Sequence, residues 1–152
     1  MATHLTESQK APTFTGTDQD GNKISLKDMR GKKVVLYFYP EDDTPTCTDQ
    51  ACNLRDNYSL LKSKGYHVIG ISPDDEKSHQ KFKSKFNLPF TLIADPEHKI
   101  IDKYGVWGEK NLYGRKFMGL HRTTFVIDEN GIIQKIILRP KSKQHAEEII
   151  SS

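Results

Sequence analysis

Val34-Val35-Leu36-Tyr37-Phe38 is a continuous apolar run rich in β-branched and aromatic side chains, and Tyr39-Pro40-Glu41-Asp42-Asp43-Thr44-Pro45-Thr46-Cys47 follows it. The run reads as a buried central strand, since a strand covered on both faces shows no polar alternation. Pro40 to Thr46 is polar, carries two prolines and reads as a loop. From about Cys47 to Lys64 the pattern turns helical. Ala51, Leu54, Tyr58 and Leu61 recur at spacings of three and four, and Gly65 is placed to end the helix.

The remaining elements follow outward from this unit. Thr13–Thr17 and Lys23–Leu26 flank the turn signal Asp20-Gly21-Asn22 and predict an N-terminal hairpin. His67–Ser72 reads as a second buried strand. Pro73-Asp74-Asp75-Glu76 opens a helix to about Phe86, its acidic first turn suiting the positive helix end. Thr91–Ala94 is a short strand, and Glu97–Tyr104 a short helix ended by Gly105. Thr123–Ile127 and Ile132–Leu138 are strands joined by Asp128-Glu129-Asn130-Gly131, and Lys143–Ile150 is a closing helix. This order predicts an α/β fold: a central mixed β-sheet flanked by helices, with an N-terminal β-hairpin. A thioredoxin-like fold fits it, although the order alone does not exclude other mixed-sheet folds. Tyr104, Trp107, Tyr113, Phe117 and Met118, set among glycines, read as packed loop in preference to a mobile flap or a partner surface.

At 152 residues the chain is expected to form one domain, spanning 1–152. Apolar residues make up 35% and charged residues 28%, the balance of a soluble globular protein. The net charge of +3 is spread without a basic stripe, so no nucleic-acid partner is expected. No apolar run approaches membrane-spanning length. The start, Met-Ala-Thr-His-Leu-Thr-Glu, has neither the basic opening nor the apolar stretch of a signal peptide. The cytoplasm is therefore the expected location, and structural disulfides are rare there.

Two cysteines five residues apart thus invite a chemical reading. Thr44 suits the N-cap and Pro45 the first helical position, which puts Cys47 in the first turn. Backbone N–H groups and the helix dipole favour an anion there, and the thiolate is the reactive form of cysteine. Along an ideal helix five residues rise about 7.5 Å and turn about 140°, so the Cα atoms of Cys47 and Cys52 would be roughly 8.6 Å apart. A disulfide needs less than about 7 Å. If the two pair, the helix must partly unwind. The bland alternative is a buried apolar cysteine, which suits Cys52, beside Ala51 and Leu54, better than Cys47 between two threonines. The six histidines sit singly in the sequence, so no metal and no cofactor are expected.

Pro40, Thr44 and Cys47 reproduce the Pro-x-x-x-Thr-x-x-Cys signature, and the chain thereby resembles the peroxiredoxins. The run Val34–Pro40 with Asp42–Pro45, Cys47-Thr48, Ala51-Cys52 and Arg55-Asp56 is similar to the bacterioferritin comigratory protein or peroxiredoxin Q subfamily, as is Gly119–Asp128. The resemblance covers nearly the whole chain. It implies a thiol peroxidase acting on hydrogen peroxide and organic hydroperoxides. In it Cys47 is the peroxidatic cysteine, Cys52 resolves its sulfenic acid as an intrachain disulfide, and thioredoxin or a similar dithiol protein is the reductant. It further implies that the Thr44 hydroxyl bonds the thiolate and peroxide, that Arg122 stabilises the developing charge, and that Pro40 shields the sulfur. A monomer is the expectation by the same analogy. Two positions depart from the family's habit: Thr46 stands where Gly is frequent, and Gln50 where Glu is usual. The rival reading is a thiol-disulfide exchange protein or a disulfide-switched interaction module, but neither needs Thr44 and Arg122 around one sulfur.

Overall fold

The computed structural model describes residues 3–151. In chain order the elements are β1 (Thr15–Asp18), β2 (Lys23–Ser25), a 3₁₀ turn (Leu26–Met29), β3 (Lys33–Phe38), α1 (Pro45–Asp56) and α2 (Tyr58–Ser63). Then come β4 (Tyr66–Ser72), α3 (Glu76–Phe86), β5 (Thr91–Ala94), α4 (Lys99–Lys103), β6 (Trp107–Leu112), β7 (Arg115–Leu120), β8 (Thr123–Ile127), β9 (Ile133–Leu138) and α5 (His145–Ile150). Seven strands form one sheet in the order β2-β1-β5-β4-β3-β8-β9. β3 and β5 lie parallel to β4, while β8 pairs antiparallel with β3, which makes the sheet mixed.

Period-two packing explains why β3 is apolar throughout. Val34, Leu36 and Phe38 join one core, with Ile69, Ile93, Ile101 of α4 and Phe125. Val35, Tyr37 and Tyr39 join the other, with Cys47, Ala51 and Leu54 of α1, Phe82 of α3 and Ile149 of α5. Gly70 in β4 is required by this second layer. A Cβ there would lie 2.8 Å from Tyr37 Cζ and 2.9 Å from Leu92 Cδ2, so only glycine lets the Tyr37 ring lie across the strand.

Three expectations need correction. The stretch from Cys47 to Lys64 is two helices, broken at Asn57, whose φ of −111° and ψ of 12° depart from helical values. The Asn57 side-chain amide donates to the Asn53 carbonyl at 2.8 Å, competing with the backbone for that acceptor. The aromatic, glycine-rich stretch is not irregular loop but the two-stranded β6–β7 sheet. Its turn residues Tyr113 and Gly114 both have positive φ, 52° and 80°, as a tight two-residue hairpin connection demands. The helix expected over Glu97–Tyr104 shortens to α4, with the Asp95 carboxylate accepting from the backbone N–H groups of Lys99, Ile100 and Ile101.

Candidate active site

The loop between β3 and α1 carries Pro40 and Thr44, and it is tied down from below. Asp42 is buried, and its Oδ1 accepts from the Tyr39 hydroxyl at 2.6 Å. Its Oδ2 accepts from Ser78 Oγ at 2.8 Å and meets His79 Nδ1 at 2.7 Å, both on α3. The Asp42 N–H donates to Asp74 Oδ2 at 2.7 Å, and Ser72 Oγ donates to the same oxygen at 2.7 Å. Asp43, with φ of 60°, turns the chain into α1. Thr44 occupies the N-cap in extended conformation and Pro45 opens the helix, as the sequence predicts. The Thr44 hydroxyl, however, donates to the Glu41 carbonyl at 3.2 Å, so it neither caps the helix nor bonds the sulfur in this state. Pro40 sits half-exposed in the same anchored loop.

Cys47 lies in the first turn of α1 and is 1% exposed. Arg122 Nη2 donates to its Sγ at 2.9 Å. Their sequence separation of 75 is closed by sheet register: Thr123 of β8 pairs with Phe38, so Arg122 stands level with the end of β3, where the loop to α1 begins. Arg122 Nη1 donates to Gln50 Oε1 at 3.2 Å, and Gln50 is three residues beyond Cys47 on the same helix face. Because guanidinium only donates, the Gln50 carbonyl must face it. Gln50 therefore takes the acceptor role that a glutamate would fill, without the charge. Its Nε2 and the Tyr37 hydroxyl are both buried without a hydrogen-bond partner among the described residues. Burial, reinforced by Asp42, Cys47 and Cys52, pushes the Tyr37 phenol well above its ordinary range, so it stays a neutral donor.

Cys52 is half-buried in the intact second half of α1, and both cysteines are free. Burial pushes the Cys52 thiol up; Arg55 pulls it down, and Asp56 and Asp49 push it up again. The reduced helix therefore holds a Cys52 that is protonated and disfavoured as a nucleophile.

Sequence reasoning missed several groups here. Lys110 of β6 is half-buried and donates to the Leu120 carbonyl at 3.0 Å. Burial and then Arg122 lower its pKa while Cys47 raises it, which places a second cation near the sulfur. Lys110, His121, Arg122 and Arg139 line a cleft of about 640 Å³. Asp42 and His79 were missed as a pair because 37 residues separate them. The nitrogen and oxygen atoms of Asp42, Asp74 and His79 lie within 4.8 Å of one another, the spacing of a metal-ligand set. His79, though, commits both ring nitrogens to oxygen acceptors, Asp42 and the Ile93 carbonyl.

A buried cysteine at a helix start with an arginine donating to its sulfur, on a thioredoxin-like sheet, has the arrangement of an activated thiol nucleophile. The AhpC/TSA family model matches residues 8–136. A relative from Coxiella burnetii named as a putative peroxiredoxin bcp is 49% identical over 142 residues, covering 93% of this chain and 94% of its own. The crystal structure of the peroxidoxin BcpB of Mycobacterium tuberculosis aligns with a TM-score of 0.85 at 29% identity, covering 98% of this chain and 100% of its own. Structures bearing on alkyl peroxide reduction by the Xanthomonas campestris bacterioferritin comigratory protein align at 0.84 and 28% identity, covering 90% and 87%. The chain belongs to the AhpC/TSA family and is a peroxiredoxin of the bacterioferritin comigratory protein type, a thiol-dependent peroxidase.

Proposed function

We propose that Cys47 is the peroxidatic cysteine and that the 2.9 Å contact between Arg122 Nη2 and its sulfur is the observation that carries this assignment. The Cys47 thiolate attacks the terminal oxygen of hydrogen peroxide or an organic hydroperoxide. The O–O bond breaks, an S–O bond forms, and water or alcohol leaves after taking a proton. Arg122 stabilises the anion before the step and the charge on the leaving oxygen during it. Thr44 turns its hydroxyl from Glu41 to the bound peroxide, and Pro40 limits solvent at the sulfur.

Cys52 then attacks the sulfenic sulfur, closing an intrachain Cys47–Cys52 disulfide and releasing water. α1 is whole with both cysteines in it, so closure requires the turn between them to unwind. A dithiol protein of the thioredoxin kind supplies the two electrons that reopen the disulfide. The alkyl peroxide activity of the Xanthomonas campestris relative supports the substrate class. By kinship with this subfamily we infer a single domain over 1–152, acting as a monomer in the cytoplasm.

The test mixes reduced protein with one equivalent of hydrogen peroxide and follows thiol loss and Trp107 fluorescence. Oxidation within seconds that disappears in Cys47→Ser is expected. A wild-type rate no faster than that of a free thiol contradicts the assignment.

A further inference from the structure

We infer that the His79–Asp42 pair is a proton-dependent clamp that positions the Pro40–Thr44 loop and, through it, the reactive turn of α1. The inference rests on Cys47 being the reacting thiol. Its geometry is distinct from the cysteine's own contacts. His79 is fully buried on α3. Its Nε2 lies 3.0 Å from the Ile93 backbone carbonyl, which can only accept, so that nitrogen carries a proton. Its Nδ1 lies 2.7 Å from Asp42 Oδ2, which also receives the Ser78 hydroxyl, so a second proton sits there. A ring between two acceptors is an imidazolium.

Every group around it favours that state. Asp42 faces it from the β3–α1 loop and Asp74 from the turn between β4 and α3. The Tyr39 ring lies 6.4 Å away, with its hydroxyl committed to Asp42. β5 offers only a carbonyl. Burial works against the charge on His79. The Asp42 hydrogen bond and charge, the Ile93 carbonyl and Asp74 outweigh it, so its pKa is raised above the ordinary value.

Of the contacts to Asp42, the one to His79 depends on that buried proton, while the Tyr39 and Ser78 hydroxyls donate to the same carboxylate beside it. When that proton leaves, one ring nitrogen faces an oxygen without a hydrogen between them, and the loop's tie to α3 falls back on Ser78 Oγ and the Lys85–Asp43 ion pair. Thr44 and Pro40 sit within two residues of Asp42 in sequence, so loosening there misplaces the groups around the sulfur. His79 touches neither Cys47 nor Arg122 and acts as a positioning residue.

Two measurements test this. The first follows the second-order rate of Cys47 oxidation by hydrogen peroxide from about pH 6 to about pH 10. In the wild type the rate falls roughly tenfold at the alkaline end as the clamp opens. His79→Gln keeps an N–H for Asp42 but has no titrating proton. It is expected to run between wild type and His79→Ala at neutral pH, and to lack the alkaline fall. The same fall persisting in His79→Gln overturns the clamp. The second measurement needs no variant and no peroxide: ring-nitrogen chemical shifts of His79 in the reduced protein near neutral pH. Both nitrogens protonated is the expected result. A neutral ring overturns the inference, whatever the fate of the Cys47 assignment.

Discussion

The two ends of α1 are held by different means. At its start, Arg122 grips the Cys47 sulfur and Gln50, while the preceding loop is fastened through Asp42 to α3 and to Asp74 in the turn between β4 and α3. At its far end, Asn53 donates to the Lys143 carbonyl and accepts from the Ala146 N–H, capping α5 from outside that helix. Arg55 donates to the Phe86 carbonyl at the end of α3. Cys52 lies between the two sets of ties, half-buried on a surface turn. This contrast locates the stretch where the helix can open. The turn from Cys47 to Cys52 is bounded on both sides by polar anchors, so disulfide closure on the proposed mechanism need not dismantle the fold.

Breaking the upstream anchor should have the largest effect. His79→Ala leaves Asp42 buried without its partner and is expected to lower stability by about 3–5 kcal/mol, read from urea unfolding. The pH dependence of that contribution has a definite sign. The folded-state pKa of His79 is raised. The stabilisation is therefore complete below the ordinary histidine value of about 6.5 and is lost as pH rises through the higher folded value. The wild type and His79→Ala should converge in stability at alkaline pH, and a gap that widens there contradicts the assignment.

Next comes the grip on the sulfur. Arg122→Ala should slow Cys47 oxidation by roughly 10²–10³-fold, with little change in unfolding midpoint. Lysine should restore only part of the rate, because it lacks the fork that reaches Sγ and Gln50 together. Stopped-flow fluorescence checks both. The smallest effect is expected downstream. Asn53→Ala removes the cap on α5 and should cost about 1 kcal/mol in denaturant unfolding. It should also speed disulfide closure relative to the preceding oxidation, since the far anchor is loosened. A slower closure would mean that Asn53 guides Cys52 instead of holding it back.

Legibility in the sequence followed burial. Strands enclosed on both faces, such as Val34–Phe38 and Thr123–Ile127, announce themselves as apolar runs, and Thr91–Ala94 stands where the pattern puts it. The β6–β7 hairpin has no such signature. Arg115 to Met118 are all exposed, so no alternation marks the strands, and the Tyr113-Gly114 turn lacks the usual asparagine or aspartate. The Asn57 break is hidden by the regular spacing of Ala51, Leu54, Tyr58 and Leu61, because it arises from a side-chain amide and not from periodicity. Cys47 was legible from its helix start, whereas Arg122 entered only by family resemblance, since β3–β8 register is not written locally. Asp42 and His79 meet only because α3 packs beneath the β3–α1 loop.

The most direct test of the division of labour between the cysteines is the intact mass of reduced protein after one equivalent of hydrogen peroxide. Wild type should lose two hydrogen atoms, with peptide mapping joining Cys47 to Cys52. Cys52→Ser should instead gain one oxygen on Cys47, and Cys47→Ser should remain unchanged. Wild type that gains oxygen without forming the disulfide, or Cys47→Ser that consumes peroxide as fast as wild type, would contradict the account.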